Sequence, residues 1–187
     1  MTKITGGLDI AMNHSAAVIS EDGEPVDWRF LTNKPRVHEL TEDGTATLYY
    51  CSDKRSADTL WARLSSYYEW ISMVMILGHE LGVSSWGVED YAHGRKHNAY
   101  HIGEFGGVTR AAVMSAGYGS IELVNIGDVK ARAGLRRQSK EKPLAFCLDT
   151  WGVDFGAYDF GFSGSDAGGD LADAAVISLI VSERCNT

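Results

Sequence analysis

Cysteine and proline are scarce in this 187-residue chain, with three of each. Cys51, Cys147 and Cys185 are odd in number and show no CxxC spacing. That excludes a closed disulfide framework and argues against a structural zinc, and it fits a reducing compartment such as the cytoplasm or an organellar matrix. No apolar run approaches the ~20 residues that span a bilayer, so no membrane partner is expected. The opening "MTKITGGLDI" lacks the charged-then-apolar pattern of a signal peptide. Repeats, low-complexity tracts and Pro/Gly/Ser linkers are also missing, and 1–187 reads as a single domain large enough for a sizeable core.

Positive charge is scarce as well, but unevenly so. The formal net charge is −8. Residues 1–93 carry a net −7 and residues 143–187 a net −6, whereas residues 94–142 hold nine Lys/Arg against four Asp/Glu, a net of +5. A basic middle between acidic ends is where a polyanion would touch, although a solvated basic face accounts for the same counts.

Three short strands open the chain in "KITGGLDIAM" and "HSAAVISEDGEPVDWRFL", with "EDGEP" as the turn. "TATLYYC" (45–51) reads as a further strand of open placement. Residues 56–81 carry Leu60, Leu64, Tyr67, Ile71 and Val74 at helical spacing. "SSWGVEDY" (84–91) is a strand, 98–116 a helix and "SIELVNI" (120–126) a strand. A basic segment, "DVKARAGLRRQSKEKP", leads to a helix through "LAFCLDTW". A glycine- and aromatic-rich loop then precedes the last helix, "GGDLADAAVISLI". Strands followed by strand–helix alternation predict an α/β domain. The element order resembles the ribonuclease-H-like fold, which implies a mixed five-stranded sheet flanked by helices.

Asp170 and Asp173 stand at the start of that last helix, on the stripe that continues through Ile177 and Ile180/Val181. Carboxylates in a first turn interact favourably with the helix dipole, and this alone explains most such pairs. An acidic pair on the inward face, however, needs a cation or a basic partner. Asp9 lies inside the first strand and Glu89 ends the strand "WGVED". Charged residues are rarely buried in strands unless paired. Acids from several distant elements suit a cluster that binds a hard ion such as Mg²⁺, which takes oxygen ligands. Two such ions about 3.5–4 Å apart can hold the attacking and leaving oxygens of a phosphoryl displacement.

At these residues the sequence resembles the RuvC-type Holliday-junction resolvases. "GLDI" with Asp9, "GVEDY" with Glu89 and "DLADAA" with Asp170 and Asp173 are similar to that family's acidic quartet. The likeness extends through "HIGEFGGVTRAAVMSAG" and "LVNIGDVKARAGLRRQSKEKP". It implies a structure-selective endodeoxyribonuclease acting on branched DNA as a homodimer. Asp9, Glu89, Asp170 and Asp173 would be ligands to two Mg²⁺ ions per site, with Mn²⁺ able to substitute. Lys140 matches the lysine of the family's G-x-G-x-x-x-K segment, set to steady the attacked phosphate, and Lys130 matches a lysine that contacts the backbone. Around them Arg132, Arg136, Arg137 and Lys142 form the stronger DNA-contact set, with Arg95, Lys96 and the aromatic Tyr91 after the glutamate strand. The sequence departs from the family where Ile10 and Ala11 replace Pro-Gly after the first Asp, and where Arg136 replaces the second glycine of the basic segment.

Other features weigh less. His93, His97 and His101 recur every four residues, but Gly94 interrupts them and no further soft ligand is evident. Phe155, Tyr158, Phe160 and Phe162 can stack on bases, though packing of their own loop is the favoured reading. Trp61, Trp70, Val108 and Met114 are candidates for a helix-paired dimer contact, or for the core. A ribonuclease H cutting hybrids would draw on Glu69 and Asp90 instead. A non-catalytic nucleic-acid-binding module would need no acidic quartet. An actin- or sugar-kinase-like ATPase needs two domains and phosphate loops absent from this chain.

Overall fold

The computed structural model describes residues 2–11, 14–32, 46–50, 60–90, 99–134, 141–157 and 167–185. Strands β1 (Ile4–Ile10), β2 (His14–Glu21) and β3 (Glu24–Thr32) form an antiparallel meander. Asp22 and Gly23 make its second turn, with φ of 50° and 89°. A two-residue hairpin of this kind requires left-handed backbone, which Asp-Gly supplies. The turn is tied back to β1, since Asp22 N–H donates to the Lys3 carbonyl and Lys3 N–H to the Asp22 carboxylate.

Beyond the meander come β4 (Ala46–Tyr50), α1 (Leu60–Glu80), β5 (Ser85–Asp90), α2 (Ala99–Ser115) and β6 (Ile121–Asn125). Helices α3 (Ile126–Arg132), α4 (Glu141–Trp151) and α5 (Ala167–Arg184) complete the chain, with a 3-10 turn at Phe155–Ala157. The sheet order is β4-β3-β2-β1-β5-β6. β5 lies parallel to β1, and β6 parallel to β5. The expected mixed sheet is therefore present, with β4 added parallel to β3 as a sixth, edge strand.

Alternation along the strands sends successive side chains to opposite faces. Leu8, Ile10, Ala17, Ile19 and Leu31 pack with Tyr67, Trp70, Ile71, Val74, Met75 and Phe105 of α1 and α2. On the other face Ala16, Val18, Trp28 and Phe30 pack with Leu171, Ala174 and Ala175 of α5, together with Cys147 and Phe155. Seven apolar α5 side chains from Leu171 to Val181 are at most 1% exposed. Fully burying a Leu, Val or Ile side chain contributes about 1.5–3 kcal/mol, which makes α5 the central helix of that layer.

The alternatives left open for the apolar helix residues are partly decided here. Trp70 is 2% exposed and belongs to the core, and half-buried Val108 packs against that core. Trp61 and Met114 are 79% and 71% exposed. The basic segment after β6 begins as helix α3, started by Asn125, whose side chain accepts from Gly127 N–H at 2.7 Å. No helix among the described residues is long and apolar enough to cross a membrane.

Candidate active site

The position of α5 follows from small residues. A Cβ at Gly7 would lie 2.0 Å from the Ala174 carbonyl oxygen and 2.5 Å from Ser178 N, so the helix backbone rests directly on β1 at a residue without a side chain. Further along, Thr5 Oγ1 donates to the Ser178 carbonyl at 3.1 Å, and Lys3 Nζ donates to the Ser182 carbonyl at 3.0 Å. Ser182, Ser178 and Ala174 thus step along Lys3, Thr5 and Gly7. Four helical residues rise about 6 Å and two strand residues about 6.6 Å, so the steps stay matched. The next rung is Asp170 beside Asp9.

A parallel run exists on β5. A Cβ at Gly87 would meet the methyls of Val181 and Ile177, and the next step on the same face takes Glu89 to the Asp173–Ile177 turn. β1 and β5 are in register through Leu8 and Val88, one residue short of Asp9 and Glu89. The backbone therefore carries all four acids to one corner, where β1 and β5 end and α5 begins. All four are half-buried, and each has an interaction partner.

Their charges are felt nearby. Burial, and secondarily the Asp173 carboxylate, pushes the Cys147 thiol up to about 12. The Tyr67 hydroxyl, 2.7 Å from Thr109 Oγ1, is raised above its ordinary range by burial first, with the Asp9 charge adding to it.

The donor set is all oxygen, as a hard divalent cation prefers. Side chains do not close on one point: among the described residues no three His, Cys, Asp or Glu groups are gathered tightly enough to hold an ion.

The basic candidates are distributed differently. Lys130 is exposed on α3. Arg132 donates through Nε and Nη2 to Glu183 Oε1, at 3.1 and 2.5 Å, and its guanidinium carbon lies 5.9 Å from the centre of the Phe146 ring. Glu183 is about 20 Å of helix from Asp170, so Arg132 ties α3 to the far end of α5 and is not gathered with the acids. Lys142 lies in α4 and His101 in α2. Tyr91, His93, Arg95, Lys96, His97, Arg136, Arg137, Lys140, Tyr158, Phe160 and Phe162 fall outside the described residues. Phe155 is fully buried and meets Trp28 edge-on at 5.3 Å, which makes it a packing residue. Glu69 is exposed on α1, across the sheet from α5, so it does not join Asp9 as the hybrid-nuclease pattern asks.

One residue at this corner has no counterpart in the motifs. His14 opens β2 and its ring stacks on Phe30, with centroids 5.7 Å apart and planes 14° apart. Strand alternation from Ala16, the partner of Asp9, is the signal that finds it.

No family model and no curated relative matches the sequence. Solved structures do. The structure titled "T. thermophilus RuvC in complex with Holliday junction substrate" superimposes with a TM-score of 0.63 at 14% identity, covering 98% of this chain and 95% of that one. The "Thermus thermophilus RuvC structure" gives 0.62 at 17% identity, covering 98% and 97%. The chain has a RuvC-like fold of the ribonuclease-H type.

Proposed function

We propose that this chain is a divalent-metal-dependent endodeoxyribonuclease that resolves four-way and other branched DNA. The observation that carries the reading is the register of α5 on β1 and β5, which delivers carboxylates from three elements to one end of the sheet. Asp9, Glu89, Asp170 and Asp173 would hold Mg²⁺ or Mn²⁺, two ions per site. When bound, the metal supplies an activated water and charge neutralisation at the phosphate. The water oxygen bonds to phosphorus as the P–O3′ bond breaks, leaving a 5′-phosphate and a 3′-hydroxyl. Lys140 steadies the attacked phosphate, and Lys130, Arg132, Arg136, Arg137, Lys142, Arg95 and Lys96 contact the backbone, with Tyr91 against the bases. Such an enzyme works where DNA is accessible, in the cytoplasm of a bacterial or virus-infected cell or in an organellar matrix.

A four-way junction needs two opposed cuts, which implies a homodimer with two-fold symmetry. Trp61, Tyr68 and Ile76 on α1 and Met114 on α2 are exposed apolar groups available for that contact. The test uses a cruciform plasmid with Mg²⁺. The wild-type protein should linearise it through coupled cuts, and Asp9→Asn, Glu89→Gln, Asp170→Asn and Asp173→Asn should each abolish cleavage while retaining fold and junction binding. Full activity in both helix variants would return Asp170 and Asp173 to a helix-dipole role. Nicked circles alone at every time point would refute the dimeric resolvase.

A further inference from the structure

Because β2 runs antiparallel to β1, its first residue lies at the end of the sheet where β1 finishes. Asp9 pairs with Ala16. His14 is therefore the diagonal neighbour of Asp9, a relation that sets residues about 7–8 Å apart and within reach of aromatic side chains. Alternation puts His14 on the face of Ala16 and Val18, the α5 face. Phe30 fixes this independently, since it belongs to the same cluster and its ring lies flat against the imidazole. His14 is thus half-buried, held in one ring plane, and placed on the rim of the acidic corner.

Two basic side chains described on or beside these strands lie away from this corner. Lys3 is at the opposite end of the sheet on the Ser182 carbonyl, and Arg29 pairs with Asp27 at 2.8 Å on the α1 face. A phosphodiester brought to four carboxylates needs hydrogen-bond donors on each flank, because an anion among anions is costly to desolvate. On the β2 flank the side chain placed to donate is the His14 imidazole.

We propose that His14 is a substrate-contacting residue of this site, its imidazole N–H donating to a phosphate oxygen of the DNA strand being cut. The inference rests on the nuclease reading above. The test compares His14→Phe, which keeps an aromatic ring on Phe30 but has no donor, with His14→Gln, which keeps an N–H. His14→Phe should unfold at the wild-type urea midpoint, and its single-turnover cleavage should fall tenfold or more, with His14→Gln recovering part of the loss. Binding is then measured in Ca²⁺, which supports poor turnover, on junctions carrying single methylphosphonates around the cut. One such substitution should weaken binding by the wild-type protein and leave His14→Phe indifferent. A wild-type protein that shows this pattern without cleaving keeps the contact and removes the nuclease reading. His14→Phe cleaving like wild type, or losing activity with the methylphosphonate pattern unchanged, overturns the proposal.

Discussion

Replacing Gly7 with alanine tests the central contact of the molecule. The new Cβ would stand 2.0 Å from the Ala174 oxygen, whereas real Cβ contacts stay beyond 3.0 Å, so α5 must withdraw from β1 by at least ~1 Å. Ala174 and Ser178 are fully buried, and the obstructing atoms are backbone rather than the end of a flexible side chain. Overpacking of this kind costs about 1–3 kcal/mol. Loosening the two hydrogen bonds that join Thr5 and Ser178 adds about 1 kcal/mol for each one lost. A total of about 3–5 kcal/mol is a large part of the roughly 5–15 kcal/mol that holds a domain folded. With a urea slope of about 2 kcal/mol/M, the midpoint should fall by about 2 M. Gly82→Ala is the control, since Gly82 has φ of 78° and nothing within 4 Å of a new Cβ. It carries only the left-handed backbone cost of roughly 1–2 kcal/mol. The same displacement moves Asp170 and Asp173 relative to Asp9 and Glu89. Junction cleavage by the folded fraction of Gly7→Ala should drop by about a hundredfold, as ångström-scale misplacement does. A midpoint equal to that of Gly82→Ala, with normal cleavage, would refute the argument that α5 is seated on Gly7.

Two further outcomes follow from buried titratable groups. Burial raises the Asp27 carboxyl from 3.8 to about 6 against the opposing pull of Arg29, so the folded state binds this proton more tightly than the unfolded one. Stability is therefore lost as pH rises from about 4 to 6, and Asp27→Asn should be more stable than wild type by about 1–3 kcal/mol above pH 6 but not below pH 4. Urea midpoints from pH 4 to 7 check this, and a pH-independent difference would contradict it. Cys147, fully buried with its thiol near 12, should resist iodoacetamide at pH 8 until the protein unfolds, while exposed Cys185 reacts at once. Mass mapping reads both, and equal rates would show α4 parting from α5.

Much of the architecture was legible because it rests on local rules. "HSAAVISE" alternates, "DG" turns, and the apolar spacing from Leu64 to Met75 has the helical period. The acidic residues also announced themselves, since Asp170 lies on the stripe of Ile177 and Val181. Less legible was what depends on contact between distant elements. Trp70 and Trp61 look alike in sequence, yet one is core and the other exposed, because α2 covers one side of α1 only. Arg132 reads as a DNA contact from its place in the basic segment, and nothing in that segment points to its exposed ion pair with Glu183, fifty-one residues away. Helix α3 hid behind Gly127 and its charges although Asn125 is a good N-cap. His14 carries no motif, and only the pairing of Asp9 with Ala16 puts it at the site.

The rung-by-rung seating of α5 on β1 restricts how this chain can change length. One residue inserted between Ala174 and Ser182 would rotate the start of the helix by about 100°, turning both aspartates away from the strands. Four inserted residues would restore the direction but carry the aspartates about 6 Å past the strand ends. Even-numbered insertions in β1 keep Asp9 on its face, yet they leave it without a matching turn of helix. Growth or shrinkage of the sequence is therefore accommodated outside two spans, Lys3 to Asp9 and Asp170 to Ser182, which are fixed as a pair of rulers.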